Sequence, residues 1–436
     1  MKQGYLKYFH PIFIILLFCM IFSRLIFTYF PSNGRLYLPE WNFATATVGR
    51  DLEAYVWRAA QDVRRGIYPI TFGFGSTLIG FIASVLFPAA GICGSGQLST
   101  CWHMFYTAII CLGVLGCIWT IHRIVQKPEK RIVSFLILAI FFLGVPMSKA
   151  IEAGNPDVFL APWVACCLVT LRRLMKKKTC SLAGSVLFGI SLGVLSNMKG
   201  FLLLFVIIAL LFTPDMLKPA VFISFLAGFV TSALWPRFFG IPAGLFDIVT
   251  FSLRGSDMMS RSLYTAINYG NNAILPYVSN ILQTLVGKRM SLDIHRMVTH
   301  VIGAIVFIML YFTPWFSEIR GKHVRLTITS YSFALLCITL SYMAIITLPA
   351  WSYDYRLLYA VPVMFLLLDE ARDTHTIFLV ALSVITILIK SLWIPKDRIM
   401  SIFLYLHLYF MLRSAISLWV NTSQPPRHRK IQGRFV

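Results

Sequence analysis

Long stretches of apolar residues, separated by short polar loops, run through most of the chain. A helix that crosses a bilayer needs roughly 20 predominantly apolar residues. Stretches near that length cover 11–30, 104–124, 132–147, 157–172, 181–196, 200–213, 219–235, 298–316, 326–348, 356–369, 376–394 and 399–420. The pattern predicts an all-α fold, a polytopic transmembrane helical bundle of about 12 spans. Lys2 and Lys7 precede the first run and no small-residue cleavage site follows it, so it reads as a retained span. Residues 76–91 are apolar but short, lie between Gly75 and Gly91, and contain Pro88. As a full span they would invert every later loop, so they read as a re-entrant or membrane-surface hairpin on the outer side. No internal repeat stands out. The expectation is a single transmembrane domain over 1–436, with outer loops 31–75 and 236–297 and a basic cytoplasmic tail over 421–436.

Charge sharpens this picture. Hydrophobic residues make up 58% of the 436 and charged residues 13%, with a mean hydropathy of +0.75. A soluble domain carries about 25% charged residues. Thirty-nine Lys and Arg oppose 17 Asp and Glu, a net charge of +22. The apolar runs exclude nucleic acid as partner, leaving anionic lipid headgroups or an anionic substrate. The short loops Arg123–Arg131, Arg172–Lys178 and Arg320–Arg325 and the tail Arg427–Arg434 are basic, which places them and both termini in the cytoplasm. The two long outer loops nevertheless carry Arg50, Arg58, Arg64, Arg65, Arg254, Arg261, Lys288, Arg289 and Arg296. Basic residues gathered there suit an anionic ligand. Lys390 and Arg413 are charges within spans. The nine cysteines contain no Cys-x-x-Cys pair; only Cys93 and Cys101 share a polar loop, where a disulfide requires an oxidising compartment.

Four stretches carry candidate chemistry, all on the predicted outer face. From Gly49 to Gly66, helical spacing puts Asp51, Tyr55, Arg58, Asp62 and Arg65 on one face and Leu52, Val56, Ala59, Val63 and Ile67 on the other. That is an amphipathic surface helix with Gly66 as its terminator. Asp51 reads either as a general base at the lipid boundary or as an N-cap. Glu152, Asn155, Pro156 and Asp157 open the span 157–172. Asn155–Pro156 is an N-cap and N1 pair, whereas Glu152 and Asp157 are costly at a membrane boundary unless they function. Lys199, in the turn Asn197–Gly200, reads as a phosphate ligand or a snorkelling helix-end lysine. In Trp351–Arg356, Tyr353, Asp354 and Arg356 read as an interfacial belt with an ion pair, or as a phosphate and sugar site.

These motifs, in this order, resemble the GT-C superfamily of integral membrane glycosyltransferases, most closely the bacterial polyprenyl-phosphate-mannose-dependent alpha-mannosyltransferases. The likeness rests on Asp51, Tyr55, Ala59, Ala60, Gly66, Tyr68 and Pro69. It continues through Gly154-Asn155-Pro156-Asp157, where the family pattern is Gly-Gln-x-Asn, then through Lys199 and Tyr353 to Pro362. The resemblance implies a sugar transferred with inversion from a polyprenyl-phosphate donor to a lipid-linked or cell-envelope glycan acceptor. Asp51 would be the base. Lys199, Arg356 and Arg58 would bind the donor phosphate. Glu152, Asn155, Asp157, Tyr55, Tyr353 and Asp354 would bind sugar and acceptor. No metal or other cofactor is implied, and the site would face the exterior of a bacterial inner membrane. An O-antigen or capsule polymerase or ligase, centred on Arg254, Arg261, His295 or Arg296, and a lipid or solute transporter are the alternatives.

Overall fold

The computed structural model describes residues 53–69, 71, 73–89, 156–177, 181–248, 308–319, 330–347, 354–392 and 401–423, with isolated positions between 105 and 137 and at 305. For residues 354–356 it describes only the backbone. Every regular element among the described residues is helical. Helix α1 begins as a π-helical turn, Glu53–Arg58, and continues as Ala59–Arg64. It is followed by α2 (Phe74–Ala89), α3 (Asp157–Lys177), α4 (Leu182–Ser196) and α5 (Leu203–Leu211, entered through the 3₁₀ turn Gly200–Leu202). Next come α6 (Lys218–Leu234, continued by the 3₁₀ turn Trp235–Phe239), α7 (308–319) and α8 (Tyr331–Thr347). The series ends with α9 (Ala360–Glu370, entered through Asp354–Tyr359), α10 (Thr374–Leu392) and α11 (Ser401–Ser423).

Among the described residues, three segments are long and apolar enough to cross a membrane: Asp157–Lys176, Lys218–Phe239 and Phe403–Ser423. They fall on the expected spans 157–172, 219–235 and 399–420. The spans expected at 181–196, 200–213, 326–348 and 376–394 fall on shorter apolar helices. The span 356–369 divides into a 3₁₀ turn and an 11-residue helix. Span 11–30 lies outside the described residues, and 104–124, 132–147 and 298–316 are described only in part. The segment 76–91 was expected to be a hairpin. Over its described residues it forms the single unbroken helix α2, with Pro88 confined to the last turn.

Small residues bring the backbones together. A methyl at Gly189 would lie 2.1 Å from Ser224 Oγ, and one at Gly193 would lie 2.3 Å from the Phe225 carbonyl oxygen. From the other side, a methyl at Gly228 would lie 2.6 Å from the Ile190 oxygen. Helices α4 and α6 therefore touch main chain to main chain, the packing that small residues allow in apolar surroundings. Their other faces are bare: Leu187, Phe222, Ile223 and Leu226 are exposed, as lipid-facing side chains must be.

Helices α10 and α11 are antiparallel, as the pairs Asp373–Asn421, Thr376–Ser417 and Ser383–His407 record. His407 is wholly buried between Ser383 and the Tyr342 hydroxyl on α8. The intramembrane charge of Arg413 is answered by Glu318 on α7, with Nη2 at 2.7 Å and Nε at 3.0 Å from one carboxylate oxygen.

At the end of α3 near Lys176, charges interlock. Arg172 and Lys176 bind Glu370, Arg172 also binds Asp369, and Lys130 donates to the carbonyls of Leu368, Asp369 and Ala371. A lysine ammonium at a helix C-terminus satisfies its orphan carbonyls and complements the macrodipole. Lys130 from the basic loop 123–131 and Arg172 and Lys176 from 172–178 thus meet at the C-terminal end of α9.

Candidate functional site

The opposite end of α3 begins at Asp157. The Pro156 carbonyl accepts from the amides of Phe159 and Leu160, so the first turn forms immediately after the proline. Asp157 occupies that first turn, where the helix dipole favours a carboxylate. Its side chain is wholly buried. The Lys199 ammonium lies 3.0 Å from Asp157 Oδ2, and the Tyr359 hydroxyl donates to Oδ1 at 2.7 Å. Lys199 is itself only 6% exposed and sits 5.8 Å from the Phe201 ring centroid, within cation–π range. Phe201 meets Tyr359 edge-on at 5.6 Å and Phe205 flanks it at 6.2 Å. A buried ion pair therefore stands in an aromatic collar, formed by residues up to 202 positions apart.

The turn that carries Lys199 is held from two sides. The Asn197 amide donates to the Phe229 carbonyl at 2.8 Å and to Ser232 Oγ at 2.9 Å, which ties the turn to the end of α6. The Gly75 amide donates to the Asn197 carbonyl at 3.0 Å. A methyl at Gly73 would lie 2.1 Å from that same oxygen, so the absence of a side chain lets the start of α2 sit directly on the turn. Lys199 is extended (φ −147°), and its carbonyl accepts from Leu202 to launch the 3₁₀ entry into α5.

Helix α1 joins the same end through α2. A methyl at Gly80 would lie 2.6 Å from the Val56 oxygen, and Thr71 Oγ1 donates to the Tyr55 carbonyl at 2.9 Å. The amphipathic pattern holds for Val56, Ala59 and Val63, which are buried, and for Arg58 and Arg65, which are exposed, whereas Ile67, expected on the buried face, is exposed beyond the end of the helix. Gly66 terminates the helix with φ +72°, its amide bonding the Val63 carbonyl and the Ile67 amide bonding that of Asp62. That is the paired bonding of a Schellman cap. The buried face docks on protein, with Val63 clustered beside Phe74, Trp235, Ile241 and Ala243.

Among the residues singled out from sequence, the structure brings Asp157 and Lys199 into direct contact and places half-buried Tyr55 and exposed Arg58 on the neighbouring α1. Asp51, Glu152, Asn155 and Tyr353 lie outside the described residues, as do Cys93, Cys101, Arg254, Arg261, His295 and Arg296. Asp354 and Arg356 fall in the 3₁₀ turn that ends at Tyr359, which brings their backbone close to the pair. Tyr359 was missed. Its only signal was a phenol inside an apolar run, a residue type that takes a hydrogen-bond partner when buried.

Beneath the pair, a cavity of about 10 Å³ lies between α3, α4 and α5, lined by Val164, Leu168, Leu192 and Phe205 among other apolar side chains. A dry apolar void of that size takes no polar ligand. Among the described residues no three His, Cys, Asp or Glu side chains gather as a metal site would require. The chain matches no protein-family model, and neither curated proteins nor solved structures include a match to it.

Proposed function

We propose that this protein is a membrane glycosyltransferase that moves a sugar, mannose or another hexose or pentose, from a polyprenyl-phosphate donor to a lipid-linked or cell-envelope glycan acceptor. The observation that carries the reading is the Asp157–Lys199–Tyr359 cluster at one end of a helix long enough to span a bilayer. Ionisable groups at such a position are costly and mark substrate sites. In this reading the donor phosphate shares the Lys199 ammonium with Asp157. The charge of Asp157 is balanced by the Tyr359 hydroxyl and the start of α3. Asp51 takes the proton of the acceptor hydroxyl as its oxygen attacks the anomeric carbon. The bond from that carbon to the phosphate oxygen breaks, and the lipid phosphate leaves toward Lys199, Arg356 and Arg58. Glu152, Asn155, Tyr55, Tyr353 and Asp354 line the sugar and acceptor side. The site faces away from the cytoplasm, opposite the Arg172–Lys176 end, in keeping with the bias of short basic loops.

The test is transfer by purified protein from a panel of polyprenyl-phosphate sugars. Wild type yields a glycosylated product, Asp51→Asn abolishes it, and Lys199→Gln raises the KM for donor. Undiminished turnover in Asp51→Asn removes that residue from the mechanism. Substrate that crosses vesicles without any covalent product establishes a transporter instead, a reading favoured by one observation, the buried His407 within a candidate span.

A further inference from the structure

The end of α6 carries a surface that the proposed chemistry does not use. The apolar segment Lys218–Phe239 is long enough to cross a bilayer, so its terminus at Arg237–Phe239 lies at the depth where hydrocarbon gives way to headgroups. At that depth Phe238 is 89% exposed and Phe246 73%. The end of α1 is packed beside them. A methyl at Gly66 would lie 3.4 Å from the Phe239 oxygen, and the Tyr68 hydroxyl reaches Asp247 Oδ2 at 3.4 Å. Ile67 and Tyr68 are 53% and 42% exposed. Four large apolar side chains thus project from one ledge made of two segments about 170 residues apart.

Cations rim the ledge. Arg64 and Arg65 are exposed in the last turn of α1, and Arg237 is exposed while its Nε is fixed on the Ala243 carbonyl at 2.6 Å. The acid within the ledge, Asp247, is engaged internally by the Gly244 amide at 2.8 Å and by Tyr68. Apolar side chains flanked by arginines, at the end of a spanning helix, match what an anionic membrane interface selects: hydrocarbon contact below and phosphate contact above. Gly66 in contact with Phe239 and Val63 packed with Trp235, Ile241 and Ala243 join the two segments into one surface.

We infer that residues 64–68 and 237–247 form an interfacial anchor that binds the headgroups of anionic phospholipids in the surrounding leaflet. Ile67, Tyr68, Phe238 and Phe246 enter the acyl boundary, and Arg64, Arg65 and Arg237 take the phosphates. The inference rests on the membrane reading and is independent of sugar transfer.

The full-length chain in nanodiscs tests it. With benzoylphenylalanine in place of Phe238, photolysis yields adducts to phospholipid; adducts to a second copy or to another protein overturn the inference. In discs that mix phosphatidylglycerol and phosphatidylcholine, native mass spectrometry shows wild type retaining phosphatidylglycerol preferentially. Two arginines at a membrane surface contribute roughly a 30-fold preference, which Arg64→Gln/Arg65→Gln removes. Both side chains are exposed, so the melting temperature of the double variant stays that of wild type and certifies its fold. Unchanged retention in the double variant overturns the anchor. Added polyprenyl phosphate competes no better than phosphatidylglycerol; selective retention of it through Arg64 and Arg65 assigns the ledge to the donor and overturns the anchor as well.

Discussion

Substituting Asp157 by Asn removes an ion-pair partner from the Lys199 ammonium in a site where it is only 6% exposed. At the observed 3.0 Å separation, Coulomb's law with an effective dielectric near 20 gives roughly 5–6 kcal/mol of attraction. Desolvation of both ions cancels much of this, so the pair as a whole contributes little net stability. Removing one partner is different, because the survivor keeps its desolvation cost and loses its compensation. The expected loss for Asp157→Asn is about 3–5 kcal/mol. Lys199→Met alone is milder, because Asp157 keeps the Tyr359 hydroxyl and the dipole of α3. The double variant, with neither charge, recovers much of the loss. The cycle of four proteins should show a coupling of about 2–3 kcal/mol, in the range measured for residues in one ion-pair network. Equilibrium unfolding in mixed detergent micelles, followed by tryptophan fluorescence, reads all four. Additive single effects, or a loss below about 1 kcal/mol for Asp157→Asn, would mean that the pair is not the electrostatic unit described here.

Two further outcomes follow from other parts of the fold. Gly193→Ala places a methyl 2.3 Å from the Phe225 oxygen and 2.5 Å from the Phe229 nitrogen. Both are backbone atoms that cannot step aside, so the α4–α6 pair separates at a cost of about 1–3 kcal/mol, seen as a lower melting temperature; an unchanged melt refutes the packing. Asp373, between α9 and α10, is partly buried, which raises its pKa. The Thr376 amide and hydroxyl and the Asn421 side chain outweigh that and hold the carboxyl below its ordinary value. A depressed carboxylate stabilises the fold above its unfolded pKa, about 3.9, and that contribution is lost as pH falls through the folded value. Below about pH 4 the melting curve of wild type should therefore fall more steeply than that of Asp373→Asn, and parallel curves would show that the cap carries no linkage.

The parts of this arrangement that sequence revealed are those fixed by local periodicity. The spacing of Val56, Ala59 and Val63 announced the buried face of α1, and Gly66 announced its end. Asp157 and Lys199 stood out because a charge beside an apolar run is unfavourable without a reason. That the two belong to one another was hidden, since their pairing is set by how α3 and the 197–200 turn pack. Tyr359 was invisible for the same reason. The hairpin expected at 76–91 gives way to a helix over its described residues, because length and a proline are only local signals. Tertiary contact decides instead: Gly73 and Gly75 seat α2 on the Lys199 turn and Gly80 seats it on α1.

Lys130 holds main-chain oxygens at 368, 369 and 371. A grip of that kind is indifferent to what those positions spell. The clasp itself asks nothing of the side chains at 368 and 371, whereas Asp369 is also bound through its carboxylate by Arg172. Constraint at this corner of the protein thus falls on the lysine and on Asp369 and Glu370, which Arg172 and Lys176 bind, and leaves the spelling of 368 and 371 open.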